Sequence, residues 1–127
     1  MTHLRGVRPT IVPDRAPITK TPSAPKWFGA FAKLEWRRIM PPLVERRILT
    51  EADMGSVENY CVTTGRIREI EAQIVAAGEI DPKLFRMQNQ AMQTARQLAA
   101  ELGLTPASRS RPAVRNDDKD DDNPFDI

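Results

Sequence analysis

The pentapeptide Gly78-Glu79-Ile80-Asp81-Pro82 is a helix stop followed at once by a helix start. Gly78 can take the left-handed conformation in which helices end. Asp81 offers a carboxylate as N-cap, and Pro82 suits the first helical position, where its missing N–H is no loss. Before this break, Val57, Tyr60, Thr64, Ile67, Ile70 and Ile74 recur in steps of three and four, the period of a helix with one buried face. They predict a helix from the N-cap sequence Thr50-Glu51-Ala52-Asp53 to about Ala77. After it, Leu84, Met87, Ala91, Ala95, Leu98 and Leu102 form the inner stripe of another. So short a connection forces the two helices into an antiparallel hairpin.

A second stop and start closes the hairpin at Glu101-Leu102-Gly103-Leu104-Thr105-Pro106-Ala107-Ser108-Arg109-Ser110-Arg111. Gly103 ends a helix, Leu104 can fold back on its last turn, and Thr105 and Pro106 open a short final helix. Ahead of the hairpin a first helix is expected from near Trp27, with Phe28, Phe31, Trp36, Ile39 and Met40 on or near one face. Pro41-Pro42 should kink or break it, leaving a shorter continuation from Leu43 to Arg47. Trp27 and Trp36 are both assigned to the core. No strand-like alternation of useful length occurs, so the fold class is all-α: a helical hairpin with a kinked N-terminal helix and a short C-terminal helix. Prolines at 9, 13, 17, 22 and 25 forbid helix in the leading segment and favour an extended, solvated arm. The organisation predicted is a disordered basic arm (1–26), a helical body (27–111) and a disordered acidic tail (112–127).

A chain of 127 residues forms at most one compact domain. Without its tails the body has about 85 residues, a core only marginally stable alone, for which oligomerisation is a natural support. The apolar runs are too short to cross a bilayer, and no apolar stretch follows the basic N-terminus as a signal peptide would require. The one cysteine, Cys61, cannot form an internal disulfide, which fits a reducing, cytoplasmic setting. Net charge is +2, spread as +4 over residues 1–26, +2 over 27–111 and −4 over 112–127. That asymmetry points to a polyanionic partner for the arm, and to a competitor or docking segment in the tail.

Groups able to do chemistry are scarce. The only histidine, His3, sits in the arm, where nothing orients it. There is no Cys/His cluster with metal spacing and no Gly-x-x-x-x-Gly-Lys-Ser/Thr phosphate loop. The tail aspartates Asp117, Asp118, Asp120, Asp121 and Asp122 lack the glycine turn and distant glutamate of a calcium loop. Glu69 and Glu71, two residues apart on a helix, point in different directions. The expectation is a protein that is not an enzyme, with no cofactor and no metal.

The cations, by contrast, are grouped. Arg5, Arg8, Arg15, Lys20 and Lys26 lie in the arm. Lys33, Arg37 and Arg38 lie on the first helix away from Phe28 and Ile39, Arg46 and Arg47 follow it, and Arg109 and Arg111 lie on the last helix. Such faces neutralise phosphates, which is the source of most non-specific DNA affinity. The plainer reading is a solvated surface in which some cations pair with Glu35 and Glu45, and the flanking arm tips the balance toward DNA. No aromatic residues interleave with the arm's charges, so base stacking is not expected there. Ala91, Ala95 and Ala99 form a ladder that is either alanine filling within a tight hairpin or a subunit contact. Gln90, Gln93 and Gln97, with Arg86, make a polar face without acids, either a solvated surface or the wall of a channel tolerant of a polyanion. The acidic tail is a solubility segment, or else it competes with DNA while Phe125 and Ile127 anchor a partner protein.

The closing string resembles the motif that ends the helical region in one family of tailed-phage terminase small subunits. Leu34-Glu35-Trp36-Arg37-Arg38-Ile39, Leu49-Thr50-Glu51-Ala52-Asp53 and Tyr60-Cys61 follow in that family's order and spacing, so the resemblance covers roughly residues 28 to 111. It implies a ring-forming helical homo-oligomer that binds viral double-stranded DNA at the packaging start site. It implies also that the protein recruits and regulates the large terminase subunit, without catalysis of its own, in the host cytoplasm and outside the mature virion. The chain departs from the family in showing no separate DNA-reading domain ahead of Trp27. The competing expectation is a helical adaptor of the large terminase that never holds DNA.

Overall fold

The computed structural model describes residues 16–106. Within them the fold is all-α: α1 (Ala30–Glu45), a 3-10 turn (Glu51–Asp53), α2 (Met54–Ala77) and α3 (Pro82–Glu101), with no strand among the described residues. α1 and α3 each pack on α2 rather than on each other, so α2 is the central helix. Ala32 lies against Gly65 and Glu35 against Tyr60, which sets α1 antiparallel to α2. The short link from Ala77 to Pro82 turns α3 back antiparallel along α2, where Gln88 reaches the Ile67 carbonyl and Glu71.

The punctuation works as the sequence predicts. Gly78 has φ 79° and ends α2, donating its N–H to the carbonyls of Ile74 and Val75. Asp81 caps α3 by accepting the Lys83 N–H at 2.8 Å, with Pro82 in the first turn. At the far end Gly103 has φ 74°, and its N–H reaches the Ala100 carbonyl while that of Leu104 reaches Ala99 at 2.8 Å. These are the two bonds of a glycine-terminated helix end, and Leu104 folds back onto the core. Thr50 and Asp53 bond reciprocally, the Asp53 carboxylate accepting the Thr50 N–H at 2.8 Å. That box holds one 3-10 turn leading directly into α2.

One open alternative is resolved and three expectations need correction. Of kinking or breaking the first helix, the proline pair does not break it: α1 is one helix through Pro41 and Pro42 to Glu45. Both rings are exposed while Met40, Leu43 and Val44 beside them are buried, so the lost donors are on the solvent side and packing carries the helix past them. Trp27 is not a core residue: it is 66% exposed and stands edge-on against Phe28, whereas Trp36 is buried. Met87 faces outward, and the buried residue of that turn is its neighbour Gln88. Finally, the part of the arm that is described is extended, as its prolines require, but docked. Ile18 donates its N–H to the Leu49 carbonyl at 2.8 Å, and Ile18 and Ala24 pack against the core.

The core gathers Phe28, Trp36, Ile39, Met40, Leu43, Leu49, Val57, Tyr60, Cys61 and Leu102 at one end of the hairpin. Close helix approach there depends on Gly65, where a Cβ would stand 2.9 Å from the Ala32 backbone nitrogen. Arg47, just after α1, holds the left-handed conformation (φ 58°) usually given to glycine, a strain of roughly 1 kcal/mol.

Candidate nucleic-acid interface

The described arm and α1 build one surface together. The Trp36 indole Nε1 donates to the Pro22 carbonyl at 2.9 Å, and the Phe28 N–H closes a turn on the Pro25 carbonyl. An indole buried on one edge and bonded through its nitrogen is a natural anchor for an extended strand that has no ladder of its own. Held in this way, residues 21–24 run beside α1 and leave a cleft of about 430 Å³ lined by Thr21, Pro22, Ser23, Ala24, Lys33, Trp36, Arg37 and Pro41. Lys33 is half-buried and Arg37 exposed, and Lys20 and Lys26 stand exposed to either side of the arm segment. The one ion pair among the described residues is Arg38–Glu35, so these four cations are unpaired there.

Arg38 is occupied differently. Its Nε donates to Glu35 Oε1 at 3.0 Å and its Nη2 to Glu35 Oε2, while the Tyr60 hydroxyl donates to Oε2 at 2.8 Å. Glu35 is almost wholly buried. Burial alone would push its carboxyl up, but the hydrogen bonds from Arg38 and Tyr60, with the charges of Arg38 and Arg68, hold it below its ordinary value. Burial, then the bond to Glu35, pushes the Tyr60 phenol up. The bond to Glu35 in turn keeps Arg38 charged beyond its ordinary range. This network ties α1 to α2, and Arg38 keeps an outer edge in solvent.

The remaining predicted residues are distributed unevenly. Arg46 donates from Nη1 to the Gly103 carbonyl at 3.1 Å, joining the end of α1 to the end of α3. Arg47 is exposed after the same helix. Ala95 and Ala99 pack against the chain's own core, so at those positions the ladder fills the seam within the hairpin. Ala91 lines a shallow groove of about 320 Å³ between α2 and α3, with Thr63, Arg66, Ile70, Met87, Gln90 and Thr94. Arg5, Arg8, Arg15, Arg109, Arg111, Phe125 and Ile127 lie outside the described residues.

Two features were not read from the sequence. The cleft exists because the arm docks, and the signal was there in Ile18 and Ala24, apolar residues set among the prolines. Gln88, whose Nε2 donates to Glu71 Oε1 at 2.9 Å, gave no signal, since periodicity favours its apolar neighbour Met87. Cys61 is fully buried, and desolvation pushes its thiol up to about 12, which leaves it unreactive. No group of three or more His, Cys, Asp or Glu among the described residues could hold a metal ion. No helix among them is long and apolar enough to cross a membrane.

Comparison with known proteins gives one result. Residues 32–119 match a family described as phage terminase, small subunit, a span that begins within α1 and runs into the acidic tail. No curated protein and no solved structure matches the chain.

Proposed function

Because the chain belongs to the phage terminase small-subunit family, we propose that it is the non-catalytic DNA-recognition component of a genome-packaging motor. It holds viral double-stranded DNA at the packaging start site as a ring of identical subunits, and it recruits and regulates the large ATPase and nuclease subunit. The observation that carries the DNA contact is the group of four cations, Lys20, Lys26, Lys33 and Arg37, that have no ion-pair partner among the described residues, on the surface shared by the arm and α1. The contact is to backbone phosphates, and Arg5, Arg8, Arg15, Arg47, Arg109 and Arg111 add to it. Arg38 and Arg46 act mainly by holding helices together. Apolar side chains exposed on the far half of the hairpin supply the surface for ring assembly.

Filter binding against salt tests the DNA contact. Affinity should fall steeply with salt, and the double variant Lys33→Ala/Arg37→Ala should lower the log–log slope by about 2 for each engaged subunit. A flat dependence in the unaltered protein would exclude a phosphate-dominated contact. Light scattering tests the ring: a closed cyclic oligomer is expected, and a lone subunit at high concentration would remove it. The adaptor reading draws support from the internal use of Arg38 and Arg46. It wins if packaging initiates normally while the double variant and the unaltered protein bind DNA equally poorly.

A further inference from the structure

The arm–α1 cleft has walls that a phosphate backbone does not use. Trp36, Pro22, Pro41 and Ala24 make it apolar inside, while Lys33 and Arg37 stand at its edge and Lys20 and Lys26 nearby. An occupant matched to it carries an aromatic or aliphatic side chain next to several negative charges. Residues 120–127, Asp-Asp-Asp-Asn-Pro-Phe-Asp-Ile, have that composition. We propose that this tail docks on the cleft of its own chain, with Phe125 inside and the aspartates on the four cations, shielding them from DNA. The shielding rests on the DNA reading above, whereas the docking does not.

Chain geometry favours the intramolecular arrangement. Arg46 holds the Gly103 carbonyl at 3.1 Å, so the chain leaves α3 beside the end of α1. Pro41, at the cleft, lies five residues back along α1, about 7–8 Å at the helical rise. Eighteen residues separate Pro106 from Phe125. They can span up to about 60 Å when extended, beyond the roughly 20 Å of helical rise from Arg46 to Lys33 at the cleft's other end. With the tail linked at such range, its local concentration at the cleft is about millimolar, so even weak complementarity keeps the site occupied. DNA must then displace the tail, and a long polyanion that engages several subunits does so where short or isolated anions do not.

Disulfide trapping in the full chain tests the docking without DNA. Asn123→Cys, which leaves Phe125, Ile127 and the aspartates in place, is paired with Ser23→Cys at the cleft or, as control, with Ala72→Cys on the exposed far half of α2. Cys61, buried and protonated, does not compete. Under mild oxidation at low salt the Ser23 pair should close within one chain roughly tenfold faster than the control, and about 0.5 M salt should abolish the difference. Equal rates, or covalent dimers as the main product, would overturn the docking. The shielding is read separately: Phe125→Ala/Ile127→Ala should raise DNA affinity about threefold to tenfold at low salt, and much less in the Lys33→Ala/Arg37→Ala background. Unchanged affinity despite trapping would overturn the shielding. Trapping in a protein that ignores DNA altogether would uphold the docking and refute the DNA reading alone.

Discussion

The hairpin has two ends made from similar residues and buried very differently. Where α1 and the arm lie against it, Ile39, Met40, Leu43, Leu49, Val57 and Cys61 expose 2% or less. At the other end Val75, Ile80, Phe85 and Met87 expose 46% to 67%. The cause is geometric. α2 has 24 residues and is about 36 Å long, whereas α1 has 16 and its N-terminal end, where Gly29 stands beside Glu69, reaches no further than that turn of α2. Beyond Ile70, α2 has only α3 for company, and two helices can cover just one face of each other. The contrast separates what the subunit needs to fold from what it keeps at its surface. The apolar residues of the far end contribute little to this chain alone, which is why they support assembly in the proposal above.

The largest effect that could break this division is at Leu43. It is fully buried in the core cluster, so Leu43→Ala should cost about 3 kcal/mol, measured as a lower midpoint in chemical denaturation. A loss below about 1 kcal/mol would mean that the three-helix end is not the folding core.

Next comes Glu35, whose network joins α1 to α2 at that same end. Glu35→Gln keeps the shape, and Tyr60 can still donate to the amide oxygen, but the charge that Arg38 meets is gone. A loss of about 1–2 kcal/mol at neutral pH is expected for a buried charge-assisted bond whose cation is partly in water. The sign of the pH dependence follows from the carboxyl being held below its ordinary value near 4.5. The stabilisation is therefore complete above that value and is lost as pH falls through the lower, folded one. Denaturation midpoints of variant and unaltered protein should converge in acid; a gap that persists there would place the effect in packing rather than charge.

How much of this was legible in the sequence follows the same division. Helix ends were, because Gly78, Asp81, Pro82 and Gly103 act through local backbone chemistry that needs no tertiary partner. Long-range packing was less so. Met87 and Gln88 differ by 100° around α3, and only the actual crossing of α2 decides which turns inward. Trp27 looks like core by composition, yet α1 starts at Ala30 and leaves it outside the stripe. The proline pair left kink and break both open because local rules ignore Leu43 and Val44, whose burial continues the helix. The cationic surface was legible residue by residue, but not the docking of the arm that shapes it, nor the use of Arg38 and Arg46 as internal ties.

A smaller effect sharpens the contrast through two glycines in α2. Replacing a helical glycine by alanine ordinarily stabilises by about 0.5–1 kcal/mol. At Gly55 nothing lies within 4 Å of the added methyl, and that gain should appear in full. At Gly65 the methyl meets the α1 backbone at 2.9 Å, so the helices must separate, and a net loss of about 1 kcal/mol is expected. Thermal melts of the two variants should shift in opposite directions, and a gain at both would show that α1 can yield without cost.

The smallest effect on the subunit is predicted at Phe85, on the far half of the hairpin. Nearly half of its surface is already in water, so Phe85→Ser removes little burial and should change the stability of the dilute subunit by only about 0.5 kcal/mol. The same change should act strongly on assembly, because a polar group at the centre of an apolar contact must be desolvated each time a neighbour docks. Sedimentation or light scattering across a concentration series separates the two effects. A melt that barely moves together with an oligomer that dissociates would assign the exposed residues to contacts between copies. An oligomer indifferent to Phe85→Ser, and also to Met87→Ser, would move the assembly surface elsewhere and leave the exposed face of the tip without a part in ring formation.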